Sequence, residues 1–218
     1  MVRAAVAHRP ATPEPCTGIR AGGGWATANP TAMVRRSVVN RQGSALGHFK
    51  QQDLSAAGFM RFVALADLVD PQGPERKGIP HKPGVYVILR RNPNAPSFTE
   101  HSCGGKSPEK RNDASRQDLA AGWVDGTELI YVGEGADLRD RVAQLVRFGR
   151  GTTDGHAGGK WIWRIEDCWS LVLGYQRLES KEAAVEAEGH LLSEFKRQFD
   201  VLPFANRKDG TRRAGAGG

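Results

Sequence analysis

A single acidic side chain interrupts the apolar face predicted for the last helix of the chain. A helical period places Leu191, Phe195 and Phe199 on one face, and Glu188 falls at the centre of that face. The other glutamates of the segment fall on or towards the solvated side: Glu182, Glu186 and Glu194. A buried carboxylate is costly unless it is paired, hydrogen-bonded or bound to a metal ion. Two interpretations of Glu188 therefore stay open, a structural pair with a core arginine and a functional metal ligand.

Two arginines border the apolar face of an earlier predicted helix. Leu138, Val142 and Leu145 recur at helical spacing, and Arg139 and Arg141 lie at opposite edges of their stripe. Arg141 can lay its aliphatic stem along the core and deliver its guanidinium to a site, where the planar fork suits phosphate oxygens. An arginine at such an edge is also typical of a plain solvated position, so the pattern alone leaves the role of Arg141 open.

Strands and helices that would position these groups can be read from the sequence. An apolar segment over 59–68 is followed by four predicted strands, each an apolar run bounded by turn residues: 84–89, 128–133, 161–165 and 170–178. Asp137 is the predicted N-cap of the first helix, which ends at Gly149. Ser180 caps the last helix, which runs to about Phe199. The order strand, strand, helix, strand, strand, helix predicts a small α+β domain rather than repeated βαβ units.

Composition divides the chain into a folded body and two tails. Residues 1–57 are rich in Ala, Gly, Pro, Arg and Ser without a sustained period, which predicts a disordered basic tail or, as an alternative, a transit peptide. The predicted domain covers 58–206, and a flexible basic tail follows over 207–218. Within the domain, 91–125 forms a polar insertion with a short helix predicted near 118–123. An insertion of this length in a compact domain is usually functional or mobile.

Most of the positive charge of the chain lies in the tails. The formal net charge is +7. Residues 1–60 carry seven basic and two acidic side chains and 207–218 carry four and one, whereas 61–206 carry 20 basic and 21 acidic. A polyanion such as nucleic acid is the predicted partner, attracted at long range by the tails and bound locally by cations of the body. The alternative is that the basic tails only keep the chain soluble.

Length, hydropathy and cysteine usage exclude several classes of protein. The 218 residues suit one domain with unstructured ends, at roughly 100–200 residues per domain. The sequence has no apolar run of the ~18 residues that a membrane span needs, so no membrane partner is predicted. Three widely spaced cysteines form neither a disulfide framework nor a zinc motif: Cys16, Cys103 and Cys168. The predicted location is the reducing cytoplasm.

Two Gly/Tyr triplets, an arginine, a glutamate and an asparagine follow one another in a fixed order. They are Gly84-Val85-Tyr86, Tyr131-Val132-Gly133, Arg141, Glu188 and Asn206. This ordered set resembles the GIY-YIG nuclease family. The likeness covers roughly 84–206, and the segment from Leu202 to Asn206 resembles the ending of one bacterial branch of that family.

The resemblance implies a fold, a cofactor and a reaction. The fold is a three-stranded antiparallel central sheet flanked by helices, with room for an extra strand or hairpin; the reaction is hydrolysis of DNA phosphodiester bonds, with Mg²⁺ or Mn²⁺ held by Glu188. Tyr86 is the preferred general base and Tyr131 the alternative, and a phenol with a pKa near 10 needs nearby cations for that role. Arg141 would neutralise charge on the phosphoryl oxygens, and Asn206 would orient the site through hydrogen bonds.

Three features depart from the family pattern. The insertion lengthens the gap between the triplets, Glu134 stands where a basic residue often follows the second triplet, and Leu145 occupies a place where many members carry His or Tyr. His156, in a glycine-rich turn, is the candidate replacement for that imidazole, or a turn histidine without a role. These departures favour, as the alternative function, a catalytically weak or inactive nucleic-acid-binding module on the same fold.

Two further signals are read as structural. Trp161 and Trp163 are predicted to be core residues rather than platforms for base stacking. The turn from Gly133 to Gly135 lacks the lysine and spacing of a P-loop, which argues against nucleotide hydrolysis. A structural or protein-binding domain is the third possibility, and it predicts no salt-dependent affinity for DNA.

Overall fold

The computed structural model describes residues 47–102, 104, 114–152 and 159–206. They all fall within the compact unit Arg36–Gly218. Their centre is one antiparallel sheet of four strands in the order β1-β4-β2-β3. The strands are β1 Met60–Ala64, β2 Gly84–Leu89, β3 Leu129–Gly135 and β4 Val172–Arg177.

Strand β2 lies between β3 and β4, and every one of its residues is buried. Its apolar run is continuous rather than alternating because helices cover both faces of the sheet. The register places Tyr86 opposite Gly133 of β3 and opposite Tyr175 of β4, and it places Ile88 opposite Tyr131. The two triplets recognised in the sequence are therefore neighbours in space.

Five helices surround the sheet in the described part of the chain. They are α1 Gln51–Ala56, α2 Pro74–Lys77, α3 Arg116–Ala121, α4 Leu138–Gly149 and α5 Lys181–Phe199. Helix α4 packs on the face that carries Tyr86 and Ile88, and α5 packs on the opposite face, with Val85 and Val87. Three short 3-10 helices complete the secondary structure: Leu65–Leu68, Lys160–Arg164 and Cys168–Ser170.

Both major helices begin and end where the sequence predicts. The Asp137 carboxylate accepts a hydrogen bond from the backbone N–H of Asp140, and the Ser180 hydroxyl accepts one from the N–H of Ala183. Each cap satisfies a donor that the first helical turn leaves without a partner. The predicted α+β class is confirmed, since an antiparallel sheet and separate helices make up the fold.

The strand predicted over 161–165 is wrong. Lys160–Arg164 forms a 3-10 helix that begins at Gly159, whose backbone adopts the left-handed conformation with φ of 72°. The run of apolar residues suited a buried strand, but Arg164 is buried and donates to the backbone carbonyls of Thr99 and Ala114. Trp163 is fully buried in the core as expected, and Trp161 packs against Phe204.

The sheet and the N-terminal boundary also differ from expectation. A fourth strand, β1, extends the implied three-stranded sheet by pairing with β4. The predicted disordered tail over 1–57 is too long, because α1 forms and the side chains of Phe49 and Leu54 are fully buried. Phe49 packs against Phe195 of α5, with 5.1 Å between ring centroids. The predictions for 1–46 and 207–218 lie outside the described residues.

The insertion is attached to the body where it is described. Helix α3 lies near the predicted position, and Phe98 forms an isolated β-bridge with Ile165. The rings of Phe98 and Trp123 both pack on Phe204, at centroid distances of 5.6 and 5.1 Å. None of the helices in the described ranges has the length and apolar content needed to cross a membrane.

Candidate active site

All three tyrosines of the chain lie on the face of the sheet that α4 covers. Tyr86, Tyr131 and Tyr175 belong to one buried cluster, on the neighbouring strands β2, β3 and β4. The rings of Tyr86 and Tyr131 are 5.9 Å apart between centroids and inclined by 48°. The structure thus brings together the two tyrosines that the family resemblance singles out.

The glycines of the triplets allow this close packing. A Cβ atom on Gly133 would lie 2.6 Å from the Tyr86 hydroxyl oxygen and 2.8 Å from Cε1 of Tyr131. A Cβ atom on Gly84 would lie 2.3 Å from the carbonyl oxygen of Gln176 and 2.6 Å from Leu138 Cδ1. All four distances are shorter than packed atoms tolerate, so each glycine makes room: Gly133 for the Tyr86 ring and Gly84 for helix α4.

The Tyr86 hydroxyl lies in an unusual environment. It is fully buried, and it interacts with the Tyr131 side chain without reaching the geometry of a regular hydrogen bond in the described ranges. Tyr175, its neighbour on β4, instead donates to the carbonyl of Gly78 at 3.2 Å. Buried polar groups are nearly always hydrogen-bonded because an unmade bond costs free energy. The Tyr86 hydroxyl is thus less fully satisfied than that of Tyr175.

Burial and neighbouring charges act in opposite directions on the two phenols. Burial raises the pKa of Tyr86 well above its ordinary value, Tyr131 reinforces the rise, and the positive charge of Arg141 opposes it. Burial also raises the pKa of Tyr131, against the effects of the Tyr86 hydroxyl and of Arg141. Both hydroxyls are therefore protonated at neutral pH in this closed arrangement, and Arg141 is the described cation that favours their ionisation.

Arg141 and Arg139, the two arginines at the edges of α4, have different surroundings. A Cβ atom on Gly135 would lie 2.9 Å from Cβ of Arg141, so this glycine lets the stem of Arg141 pack closely over the end of β3. One guanidinium nitrogen of Arg141 donates to Gln144 at 3.1 Å. Arg139 donates instead to the backbone carbonyls of Ile79 and Lys77. Arg139 anchors the loop before β2, whereas Arg141 faces the tyrosines.

The Glu188 carboxylate is half-buried on α5 and has no hydrogen bond or ion pair with any residue of the described ranges. Burial raises its pKa, and the charges of Lys181 and Arg141 oppose the rise. Glu188 also acts electrostatically on both Tyr86 and Tyr131. The structural pair with a core arginine, left open by the sequence, is not formed in the described part of the chain.

Sequence reasoning missed one charged neighbour. Lys181, the first residue of α5, forms an ion pair with Glu134 of β3, directly after the second triplet. The acidic residue at Glu134 is therefore accompanied by a cation from another element. The spacing carried a signal, since Lys181 precedes Glu188 by two helical turns and shares its face.

The Asn206 side chain is hydrogen-bonded to the backbone of strand β3. Its side-chain oxygen accepts from the N–H of Val132 and its amide nitrogen donates to the carbonyl of the same residue, both at 2.8 Å. The backbone N–H of the preceding residue, Ala205, donates to the carbonyl of Ile130. These bonds cover the outer edge of β3 and hold the strand that carries Tyr131.

One other residue named from the sequence does not join the site. Leu145 is fully buried in the hydrophobic core, so its position on α4 offers no polar group to a substrate. His156 lies outside the described residues.

The described residues fit a divalent cation at Glu188. Mg²⁺ prefers oxygen ligands, keeps several waters and is often bound through one or two carboxylates, which suits a half-buried carboxylate without a partner. A second group, His81, Asp137 and Asp140, also brings possible ligand atoms within 4.8 Å of one another. There, however, Asp137 is occupied by the cap and by His81 Nδ1 at 2.7 Å, and the start of α4 carries a partial positive charge.

Access to the tyrosines is closed in this arrangement. Tyr86 is 0% and Tyr131 4% exposed, whereas Glu188 is only partly buried. A shallow cavity of about 280 Å³ lies elsewhere, lined by residues that include Lys50 and Arg91, and it shares no residue with the site. A ligand from solvent could reach the phenols only after local opening.

Comparison with known proteins returns no relative. No protein-family model, no curated protein and no solved structure matches the chain. The likeness to GIY-YIG nucleases consequently rests on the residues and on the geometry described above.

Proposed function

We propose that the protein is a metal-dependent endonuclease that hydrolyses DNA phosphodiester bonds by GIY-YIG-type chemistry. One observation carries the proposal: two buried tyrosines, a guanidinium and an unpaired carboxylate act on one another electrostatically, although they come from four separate elements. Perturbed ionisable groups that converge in this way are typical of functional sites.

Each residue has a role in the proposed reaction. Glu188 would hold Mg²⁺ or Mn²⁺, which when bound polarises the phosphate and stabilises the leaving oxygen. Arg141 neutralises charge that develops on the phosphoryl oxygens. Tyr86 first loses its own proton to solvent, and its phenolate oxygen then accepts a proton from the attacking water; Tyr131 is the alternative base. Because burial raises the pKa of Tyr86, exposure to solvent and the charge of Arg141 must lower that pKa before it acts.

A second candidate is a catalytically weak or inactive module that binds nucleic acid on the same fold. Two observations favour it: the tyrosine hydroxyls are closed to solvent, and an acidic residue, Glu134, directly follows the second triplet on β3. This candidate predicts salt-dependent binding of DNA without turnover.

A plasmid-nicking assay separates the candidates. Supercoiled DNA is incubated with Mg²⁺ and the wild-type protein, Glu188→Gln or Tyr86→Phe. The control variants are Glu186→Gln, an exposed glutamate of the same helix, and Tyr175→Phe, whose hydroxyl is bonded to Gly78. The endonuclease predicts a loss of at least about 100-fold for the two site variants and little change for the controls.

Other outcomes have a definite meaning in the same assay. Salt-dependent binding without nicking by any variant supports the module, and neither binding nor nicking contradicts both candidates. An RNA of matched sequence, tested in parallel, checks that DNA is the preferred substrate.

A further inference from the structure

The positive charge of the folded body is concentrated in two segments. Residues 74–83 and 137–150, which contain α2, the loop before β2 and α4, carry seven basic and three acidic side chains. The other residues of 61–206 carry 13 basic and 18 acidic side chains. The body as a whole is close to neutral, but its charges are separated, and these two segments hold the positive excess.

Hydrogen bonds join the two segments into one surface. The backbone N–H of Leu138 donates to the carbonyl of Lys82 at 2.9 Å. The Arg139 guanidinium donates to the carbonyls of Ile79 and Lys77. Lys77 and Lys82 therefore lie beside the first turn of α4. Their backbone oxygens make these bonds, so both side chains stay available to solvent.

Helix α4 adds further cations along the same side. Arg147 and the C-cap residue Arg150 lie within about 80° and 20° of Arg139 around the helix axis, and both are exposed. We call this set the α4 basic surface: Lys77, Lys82, Arg139, Arg147 and Arg150.

The lysines and Arg139 keep their charge uncompensated. Lys77 and Lys82 are exposed, and neither forms an ion pair with a residue of the described ranges. The Arg139 guanidinium is held by carbonyl groups, which accept its hydrogen bonds without cancelling its charge. A ligand that approaches this surface therefore meets positive charge.

The acidic side chains of the two segments do not cancel this excess. Glu75 pairs with Arg61, which lies outside both segments, at 2.8 Å. Asp137 caps α4 and bonds to His81 Nδ1. Asp140 lies in the first helical turn, where the helix dipole favours a carboxylate.

The chemistry of this surface suits the phosphate backbone of DNA. Duplex DNA carries one negative charge per about 1.7 Å of its axis, and lysine and arginine are common phosphate contacts. An anionic membrane is the rival polyanion, but interfacial binding also uses exposed apolar side chains. The large exposed apolar side chains of the described residues lie outside both segments: Met60, Val185 and Val201.

The position of the surface connects it to the candidate active site. Arg141, which faces the tyrosines, belongs to the same helix as Arg139 and Arg147. A helix with its side chains is about 10–12 Å wide, which corresponds to roughly three phosphates of one strand at 3.4 Å each. A backbone bound along α4 therefore brings a neighbouring phosphodiester within reach of Arg141.

We infer that the α4 basic surface binds the phosphate backbone of duplex DNA next to the phosphodiester at Arg141. The inference rests on the proposed function, since it takes DNA as the substrate. The side chains of this surface are binding residues and take no part in the reaction. They supply affinity without sequence preference, because phosphate contacts carry no base information.

Binding of a fluorescent 30-base-pair duplex to the full-length protein, in EDTA and over a range of salt, tests the inference without cleavage. Lys77→Gln/Lys82→Gln removes two charges and keeps the backbone bonds to α4. We expect affinity at 0.1 M salt to fall about 10- to 50-fold. The slope of log affinity against log salt should become shallower by about 1.8, roughly 0.9 for each phosphate contact.

The matched control is Lys50→Gln/Lys196→Gln. It removes the same charge from exposed positions next to α1 and on α5, which packs on the opposite face of the sheet. The basic tails are unchanged in both double variants, so their contribution cancels in the comparison. The control should lose less than about threefold in affinity, because charges beyond a Debye length are screened. Thermal unfolding checks that both double variants fold like the wild type.

Two results would overturn the inference. Equal losses in the two double variants would mean that affinity follows net charge and not this surface. Vesicles of anionic phospholipid, tested at the same salt, give the second result. If they bind more tightly than DNA and Lys77→Gln/Lys82→Gln loses that binding, the surface is a membrane contact.

Failure of the inference is distinguishable from failure of the proposed function. If the wild type nicks plasmid DNA and Lys77→Gln/Lys82→Gln binds and nicks like its control, the surface is overturned and the endonuclease stands. If only Lys77→Gln/Lys82→Gln loses binding but no protein nicks DNA, the surface stands and the endonuclease is contradicted. A wild type that binds no DNA contradicts both.

Discussion

Polar and charged side chains are buried in two regions of this protein, and the two regions differ in how fully these side chains are hydrogen-bonded. One region attaches the insertion to the body. Arg90 donates to Asp167 at 3.0 Å and to the carbonyls of Asn92 and Asn94, and its guanidinium lies 5.7 Å from the centre of the Trp123 ring. Arg164 donates to the carbonyls of Thr99 and Ala114, on either side of the segment that carries residues 103–113.

The candidate active site shows the opposite arrangement. The hydroxyl of Tyr86 is buried without a hydrogen bond of normal geometry in the described structure, and the Glu188 carboxylate is half-buried without a partner. Burial costs free energy in both regions, but only in the first do hydrogen bonds offset it. The difference agrees with a first region that serves stability and with the proposal that the second is kept, at a cost in stability, for binding and chemistry.

The largest expected effect is on activity, from Tyr86→Phe. Loss of the hydroxyl should reduce cleavage at least about 100-fold, because it removes the preferred general base. The free energy of unfolding should change by less than about 1 kcal/mol, since relief from burying the hydroxyl and loss of its interaction with Tyr131 oppose each other. Nicking rates and urea denaturation measure the two quantities. Full activity in a stable Tyr86→Phe protein would transfer the role of base to Tyr131.

The next largest effect is on stability, from Arg164→Met. Two buried carbonyls lose a charged donor, and we expect the free energy of unfolding to fall by about 2–3 kcal/mol. Arg116→Met, in an exposed pair with Glu100, should cost less than about 0.5 kcal/mol. Urea denaturation compares the two variants. Equal costs would mean that the insertion is not held by its buried arginine.

A smaller loss is expected from Tyr175→Phe. This substitution removes the hydrogen bond to the carbonyl of Gly78 and should cost about 1 kcal/mol of unfolding free energy. Cleavage by the folded protein should stay within about twofold of wild type, because no role in the reaction is assigned to Tyr175. Comparison with Tyr86→Phe isolates the hydroxyl, since both residues are buried on neighbouring strands. A larger loss of activity than of stability would place Tyr175 in the site.

The smallest effect is a gain in stability from Glu188→Gln. Burial raises the pKa of Glu188 above its ordinary value of 4.5, so the folded protein binds this proton more tightly than the unfolded chain does. The carboxyl group therefore lowers wild-type stability as pH rises from about 4.5 through the raised pKa. At pH 7 and without metal, the variant should be about 0.5–1 kcal/mol more stable than wild type, with the difference vanishing near pH 4.

The control for this prediction is Glu186→Gln, on the exposed side of the same helix. It should change stability by less than about 0.5 kcal/mol at either pH. Denaturation at pH 4 and pH 7 compares the variants. A loss of stability in Glu188→Gln at pH 7 would mean that the carboxylate has a structural partner.

Local signals in the sequence predicted much of the fold. Asp137 and Ser180 cap helices because a short polar side chain satisfies the first free N–H groups, and this preference depends on a few neighbouring residues. The apolar run of 84–89 predicted β2 because this signal, too, depends only on neighbouring residues. The segment 161–165 was predicted wrongly because short apolar runs suit a buried strand and a buried turn of helix equally well.

The sequence named members of the candidate site but not their contacts. The periodicity of α5 located Glu188 on the buried side, since helix geometry alone decides which residues share a face. The sequence did not predict the pairing of Lys181 with Glu134, because it joins residues 47 positions apart through the packing of α5 on β3. The burial of the two tyrosine hydroxyls likewise depends on tertiary packing and on Gly133, and no local signal in the sequence predicts it.

The central claim is that Glu188 binds a divalent cation beside the two tyrosines, and anomalous scattering from crystals soaked in Mn²⁺ tests it most directly. The account predicts a peak at about 2.1 Å from a carboxylate oxygen of Glu188, the distance typical of Mg²⁺ and its oxygen ligands. A peak confined to His81, Asp137 and Asp140, or no peak in crystals saturated with Mn²⁺, would contradict it.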